Sequence, residues 1–192
     1  MDLSSWIDDL KSKFKGVQLL KEELTLIIEN IVKIKGCKFL VFGLGNDTGM
    51  WMEINRDGRT AFIEDQKGWF DKITTIYPES EAYLINYPYN ITQWKELLDK
   101  PRKLKLHMPE EITKTKWDII LVDGPAGWQM IEEFAGRMSS IYMAKKLIKK
   151  GGIIFIHDCE REVEETYANK YLKEDKFVQS VYGLNLLKMY KG

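Results

Sequence analysis

Residues 38–49, KFLVFGLGNDTG, decide how this chain is to be read. Phe39 to Phe42 is an uninterrupted apolar run, the composition of a strand covered on both faces. Gly43 and Gly45 stop it, and glycine lets backbone turn sharply and approach a ligand closely. Upstream, Leu19, Leu20, Leu24, Ile27, Ile28 and Ile31 recur at three- and four-residue spacings among lysines and glutamates. That spacing predicts an amphipathic helical segment from Trp6 to about Lys35, stopped by Lys35-Gly36.

Downstream, apolar runs of the same kind return at Arg59–Glu64, Glu81–Asn86, Trp117–Asp123 and Gly152–Asp158. A helix is expected over residues 136–149, ending in lysines and glycines. The tail from Phe177 to Met189 reads as a hairpin turning at Tyr182-Gly183-Leu184-Asn185. Strands alternating with helices predict an α/β fold, a doubly wound and mostly parallel sheet closed by a C-terminal antiparallel hairpin. Residues 91–116, charged and carrying Pro101 and Pro109, predict a helix and a loop. One domain spanning 1–192 is expected, with 1–35 as an N-terminal helical segment.

Composition narrows the function classes. Lys plus Arg is 29 and Asp plus Glu is 29, so no net charge draws the chain to a polyanion and nucleic acid is not the expected partner. Cys37 and Cys159 are too few for a disulfide framework and form no metal-binding pair. No apolar run of membrane-spanning length occurs, and Met1 to Leu10 has no signal-peptide core, so a soluble, cytoplasmic protein is the expectation. Nothing in the sequence bears on oligomeric state.

In open α/β sheets, ligands bind beyond the carboxyl ends of the strands. The first strand ends in the loop Gly43 to Gly49. The second ends in Glu64, 21 residues after Gly43, where an acid can accept hydrogen bonds from ribose hydroxyls. This pairing points to a nucleoside ligand. A dinucleotide fingerprint wants a third glycine at position 48, which is Thr48, so S-adenosylmethionine is favoured over a nicotinamide cofactor. The plainer alternative is a strand-to-helix turn and a solvent-facing acid.

The fourth strand ends in Asp123-Gly124-Pro125 and the fifth in His157-Asp158. Asp123, His157 and Asp158 could hold a divalent metal that lowers the pKa of a substrate hydroxyl. Alternatively His157 or Asp123 could act directly as a general base. A structural role competes with both, Asp123 shaping a turn and Asp158 capping the next helix. Arg137 is a candidate clamp for a substrate carboxylate, or else a surface ion pair. The aromatic stretch from Tyr83 to Tyr89 offers a resting place for an adenine ring, although core packing competes for Tyr83. Trp51 and Met52 read as packing residues.

Taken together, FLVFGLGNDTGMW (39–51), GRTAFIED (58–65), WDIILVDGP (117–125), GRMSSIY (136–142) and IHD (156–158) with Arg161, Val163 and Glu164 resemble the plant glucuronoxylan 4-O-methyltransferase family. The similarity runs from about Leu24 to Leu172. It implies a Rossmann-like class I methyltransferase fold and methyl transfer from S-adenosylmethionine to a sugar or uronic acid hydroxyl in a glycan. It suggests a divalent-cation requirement. It implies Gly43, Gly45, Asn46, Asp47, Glu64 and Asp65 as cofactor contacts, and Asp123, His157 and Asp158 as active-site residues. The plant members carry a Golgi anchor and lumenal cysteines that are not read in these residues. Where that family tends to have an arginine after Asp-Gly-Pro, this chain has Ala126-Gly127-Trp128, in a loop expected to face the acceptor. Rival functions are a metal-dependent O-methyltransferase of a catechol-like small molecule, a non-catalytic nucleotide- or glycan-binding module, and a nicotinamide oxidoreductase.

Overall fold

The computed structural model describes residues 2–192; Met1 lies outside the described residues. The parallel strands are β1 (Lys38–Phe42), β2 (Arg59–Glu64), β3 (Glu81–Leu84), β4 (Trp117–Val122) and β5 (Ile148–Ile156). The hairpin β6 (Phe177–Tyr182) and β7 (Leu186–Lys191) completes a seven-stranded sheet of order β3-β2-β1-β4-β5-β7-β6. Pairing is parallel up to β5 and antiparallel between β5 and β7 and between β7 and β6. The direction of winding reverses between β1 and β4, which opens a crevice beyond their carboxyl ends.

Alternation along the central strands builds two cores. Phe39, Val41, Ile119 and Leu121 point to one face, and Leu40, Phe42, Ile120 and Val122 to the other. The first face is covered by α1 (Leu3–Lys13), α2 (Lys21–Val32), α3 (Thr48–Ile54) and α4 (Lys67–Ile76). There Trp51 packs edge-on against Phe39, with ring centroids 5.6 Å apart. The second face is covered by α5 (Trp94–Leu97), α6 (Glu110–Thr113), α7 (Met138–Leu147) and α8 (Glu162–Leu172). Cys37 and Cys159 are free and buried, one in each core. Among the described residues, no helix is long and apolar enough to cross a membrane.

Three boundaries differ from the sequence expectation. The N-terminal helical segment is two helices, broken where Gly16 takes a φ of 86°, a conformation that costs glycine nothing. Residues 148–150 extend β5 rather than α7; Ile148 pairs with Trp117, and that pairing overrides the helical pattern. Residues 91–116 hold two short helices and a 3-10 turn at Ile91–Gln93 instead of one helix.

Candidate active site

The ends of β1, β2, β4 and β5 converge on a cavity of about 410 Å³. Gly43 leaves β1 at a φ of 120°, and a Cβ there would meet the Gly124 nitrogen at 3.3 Å. No side chain fits that conformation and that spacing together, so the glycine is a geometric necessity. The loop it opens is held from β2 and α4. The Glu64 carboxylate accepts from the Leu44 amide at 3.0 Å with one oxygen, and from Asp65 and Gln66 at 3.0 and 2.8 Å with the other. The Trp69 indole donates to the Leu44 carbonyl. Burial first, then the Asp65 charge, pushes the Glu64 pKa up to about 7.

Of the candidate cofactor contacts, Gly43, Gly45, Asn46, Asp47 and Glu64 line the cavity. Asp65 does not; Gln66 takes that place. Asp47 accepts from the Trp51 indole at 2.7 Å. Burial and the charge of Asp123 raise its pKa to about 6. The tyrosines proposed for an adenine ring do not line the cavity: Tyr83, Tyr87 and Tyr89 lie against the second core, and Tyr87 pairs with Ser140 at 2.9 Å. Trp69 is the aromatic side chain that lines the cavity beside Glu64, and sequence reading missed it because it sits on a helix rather than at a strand end.

Beside the glycine loop Asp123, His157 and Asp158 meet, with one ligand-type atom from each lying within 4.8 Å of the others. Their hydrogen bonds decide what the cluster can do. His157 Nδ1 lies 2.8 Å from Asp123 Oδ1, and its Nε2 lies 2.7 Å from Glu23 Oε1. Burial alone would lower the His157 pKa, but the hydrogen bonds to Asp123 and Glu23 outweigh it and raise the pKa to about 10. The ring is therefore an imidazolium at neutral pH, donating from both nitrogens. Glu23, fully buried on α2, also accepts from the Leu20 amide at 2.7 Å and the Leu184 amide at 3.1 Å.

Arg137 is buried inside this cluster. It donates to the Pro125 carbonyl at 3.3 Å, the His157 carbonyl at 2.8 Å, Asp123 Oδ1 at 3.3 Å and Asp158 Oδ2 at 2.6 Å. The carboxylates it clamps belong to the chain itself, so the expected role on a substrate carboxylate gives way to an internal one. Asp158 is pinned further by Arg161 at 2.9 Å and by the Asn185 amide. It does not cap α8 with its side chain. It sits at a φ of 60°, uncommon for a residue with a Cβ, held there by these partners.

A divalent cation does not fit this donor set as arranged. Both ring nitrogens of His157 are engaged by the carboxylates of Asp123 and Glu23, and the Arg137 guanidinium stands between Asp123 and Asp158 where a cation would sit. The group left open is Asp123 Oδ2. Among the described residues no donor reaches it, and the side chain is 29% exposed to the cavity. Burial would raise the Asp123 pKa, but the His157 hydrogen bond and the Arg137 charge hold it below the usual carboxylate range.

The family described as IRX15/IRX15L/GXM matches residues 22–107 and 100–187. Glucuronoxylan 4-O-methyltransferase 1 of Arabidopsis thaliana is 35% identical over 178 residues, 82% of this chain and 62% of the relative. Arabinogalactan O-methyltransferase 1 of the same plant is 33% identical over 174 residues, 78% of this chain and 60% of the relative. The chain thus spans about three-fifths of the length of these curated relatives. The TehB-like SAM-dependent methyltransferase from Corynebacterium glutamicum superposes with a TM-score of 0.56 at 12% identity, covering 97% of this chain and 94% of that one. At that identity the likeness concerns the fold, which is the Rossmann-like class I methyltransferase fold.

Proposed function

The chain belongs to the IRX15/IRX15L/GXM family, and from that premise we propose that it is an O-methyltransferase using S-adenosylmethionine to methylate a hydroxyl of a sugar or uronic acid in a glycan. The observation that carries the reading is that one cavity joins the glycine loop and Glu64 to the open oxygen of Asp123. The glycan acceptor is supported by the glucuronoxylan and arabinogalactan enzymes among the relatives. The cofactor is supported by the loop itself, whose glycines leave backbone bare at the end of β1, and by the Glu64 carboxylate positioned to accept from a ribose diol.

When bound, S-adenosylmethionine supplies an electrophilic methyl group on a sulfonium. The chain's own residues then have three tasks. Gly43 to Asp47, with Glu64 and Trp69, hold the nucleoside end. Asp123 Oδ2 would accept the hydrogen bond of the acceptor hydroxyl and take its proton as the methyl passes from sulfur to that oxygen, the S–C bond breaking to leave S-adenosylhomocysteine; the proton would then leave through the open cavity. His157 and Arg137 fix Asp123 by its other oxygen, so its free lone pairs point into the cavity. Holding both reactants in line provides much of the rate. His157 already carries its proton and is an orienting group, not the base.

Calorimetric titration with S-adenosylmethionine and S-adenosylhomocysteine tests the cofactor half. Micromolar binding is expected, weakened about 10- to 100-fold in Glu64→Ala, the range for a lost hydrogen bond to a charged group. Binding of NAD in place of both compounds would overturn the reading.

A further inference from the structure

We propose that Trp128 forms a stacking platform for the pyranose ring of the acceptor, in the cavity that the glycine loop also lines. The inference deepens the methyltransferase reading and rests on it. Trp128 is 62% exposed and lines the cavity. Ligand pockets are lined largely by apolar and aromatic side chains, and Trp128 lies on this one rather than on open surface.

The platform is pre-formed. The Trp128 indole rests on Phe134, with ring centroids 4.4 Å apart. The loop carrying both is anchored at each end. Gly136 donates to the Ala126 carbonyl at 2.9 Å, and Ile91 donates to the Phe134 carbonyl at 2.8 Å. Between them, a Cβ on Gly127 would meet Ile91 at 3.2 Å and Glu164 at 3.3 Å, so the loop is packed close beneath the tryptophan. A rigid aromatic anchor loses little conformational entropy on binding.

The surroundings select the occupant. Leu184, 49% exposed, and Trp128 are apolar lining groups of the same cavity. Gln18, Asn185, Arg161 and Asp123 add carboxamide, guanidinium and carboxylate groups to it. A pyranose has the matching two-sided character, an apolar C–H face for the indole and a rim of hydroxyls for the polar groups. A catechol would use the indole but brings only two hydroxyls to that polar lining.

The test measures saccharide binding directly, separately from turnover. Protein saturated with S-adenosylhomocysteine is titrated with methyl β-D-glucuronide, with xylotetraose and with catechol, following saturation-transfer NMR and tryptophan fluorescence. Trp128→Ala and Trp128→Phe are compared with the wild type. Saccharide binding weakened about tenfold or more in Trp128→Ala and largely kept in Trp128→Phe is expected, with the affinity for S-adenosylhomocysteine unchanged in both. Equal saccharide binding by wild type and Trp128→Ala would overturn the platform. So would catechol binding in preference to either saccharide, or no saccharide binding by the wild type. In each case retained S-adenosylhomocysteine binding shows that the methyltransferase reading itself survives.

Discussion

Glu23 and His157 lie 134 residues apart, yet the Glu23 carboxylate accepts the His157 Nε2 hydrogen bond at 2.7 Å, inside the protein. One oxygen of Glu23 takes the imidazolium, and the other ties the start of α2 to the hairpin turn at Leu184. The N-terminal helices are thereby joined to the Asp123–His157 cluster and are not only a cover for the sheet. Glu23→Ala leaves a buried imidazolium with one partner instead of two. Breaking a buried pair from one side costs about 3–5 kcal/mol. The expected result in chemical denaturation is a loss of that order, and for Glu23→Gln, which keeps an acceptor but not the charge, a smaller one. S-adenosylhomocysteine affinity should stay within about threefold in both variants, because the glycine loop is held by other residues. Equal stability of wild type and Glu23→Ala would show that the pair contributes nothing.

The same network sets a pH dependence with a defined sign. His157 has a folded pKa of about 10, above its ordinary 6.5. Its contribution is complete below pH 6.5 and is lost as pH rises through about 10. Asp47 and Glu64, raised to about 6 and about 7, act in the same direction and are largely spent by pH 8. Cys37 and Cys159, raised from 9.0 to about 12, begin to add to the decline as pH approaches 9. Around pH 8 the decline in unfolding free energy should therefore be chiefly His157's, on the order of 1 kcal/mol per pH unit. Denaturation midpoints on either side of that pH measure it, and a flat profile would contradict a doubly bonded imidazolium.

Gly43→Ala combines a backbone conformation forbidden to alanine with a 3.3 Å approach to the Gly124 nitrogen. A loss of about 1–3 kcal/mol is expected, together with weaker S-adenosylhomocysteine binding. Gly151→Ala is the natural control. It also has a positive φ, 76°, but a Cβ there meets nothing within 4 Å. It should cost less stability and leave cofactor affinity unchanged, as isothermal titration of both variants would reveal.

What was legible in the sequence follows from which interactions are local. The strands, the glycine loop, Glu64 and the Asp123, His157 and Asp158 cluster were readable, because each is an apolar run followed by the residues that end it. Arg137 was recognised as a carboxylate-binding residue, but whose carboxylates it binds depends on β5 and β4 lying side by side. Glu23 carried a signal that was not used. It falls four and eight residues before Ile27 and Ile31, in the apolar stripe of α2, where an acid is out of place unless it has a buried partner. Its partner could not be named from spacing, since the contact is made only when the sheet closes. Trp69 was hidden because it sits on a helix, whereas the break at Gly16 is local: Lys15-Gly16 carries the same stop signal as Lys35-Gly36.

The central claim is that the cavity transfers methyl groups to a sugar hydroxyl with Asp123 receiving the proton. Mass spectrometry of a saccharide panel incubated with the protein and methyl-deuterated S-adenosylmethionine addresses it directly. A labelled methyl ether on a uronic-acid-bearing or neutral oligosaccharide is expected, formed by the wild type and slowed about 100-fold or more in Asp123→Asn. Label appearing on catechol but on no saccharide, or transfer at an equal rate by Asp123→Asn, would contradict it.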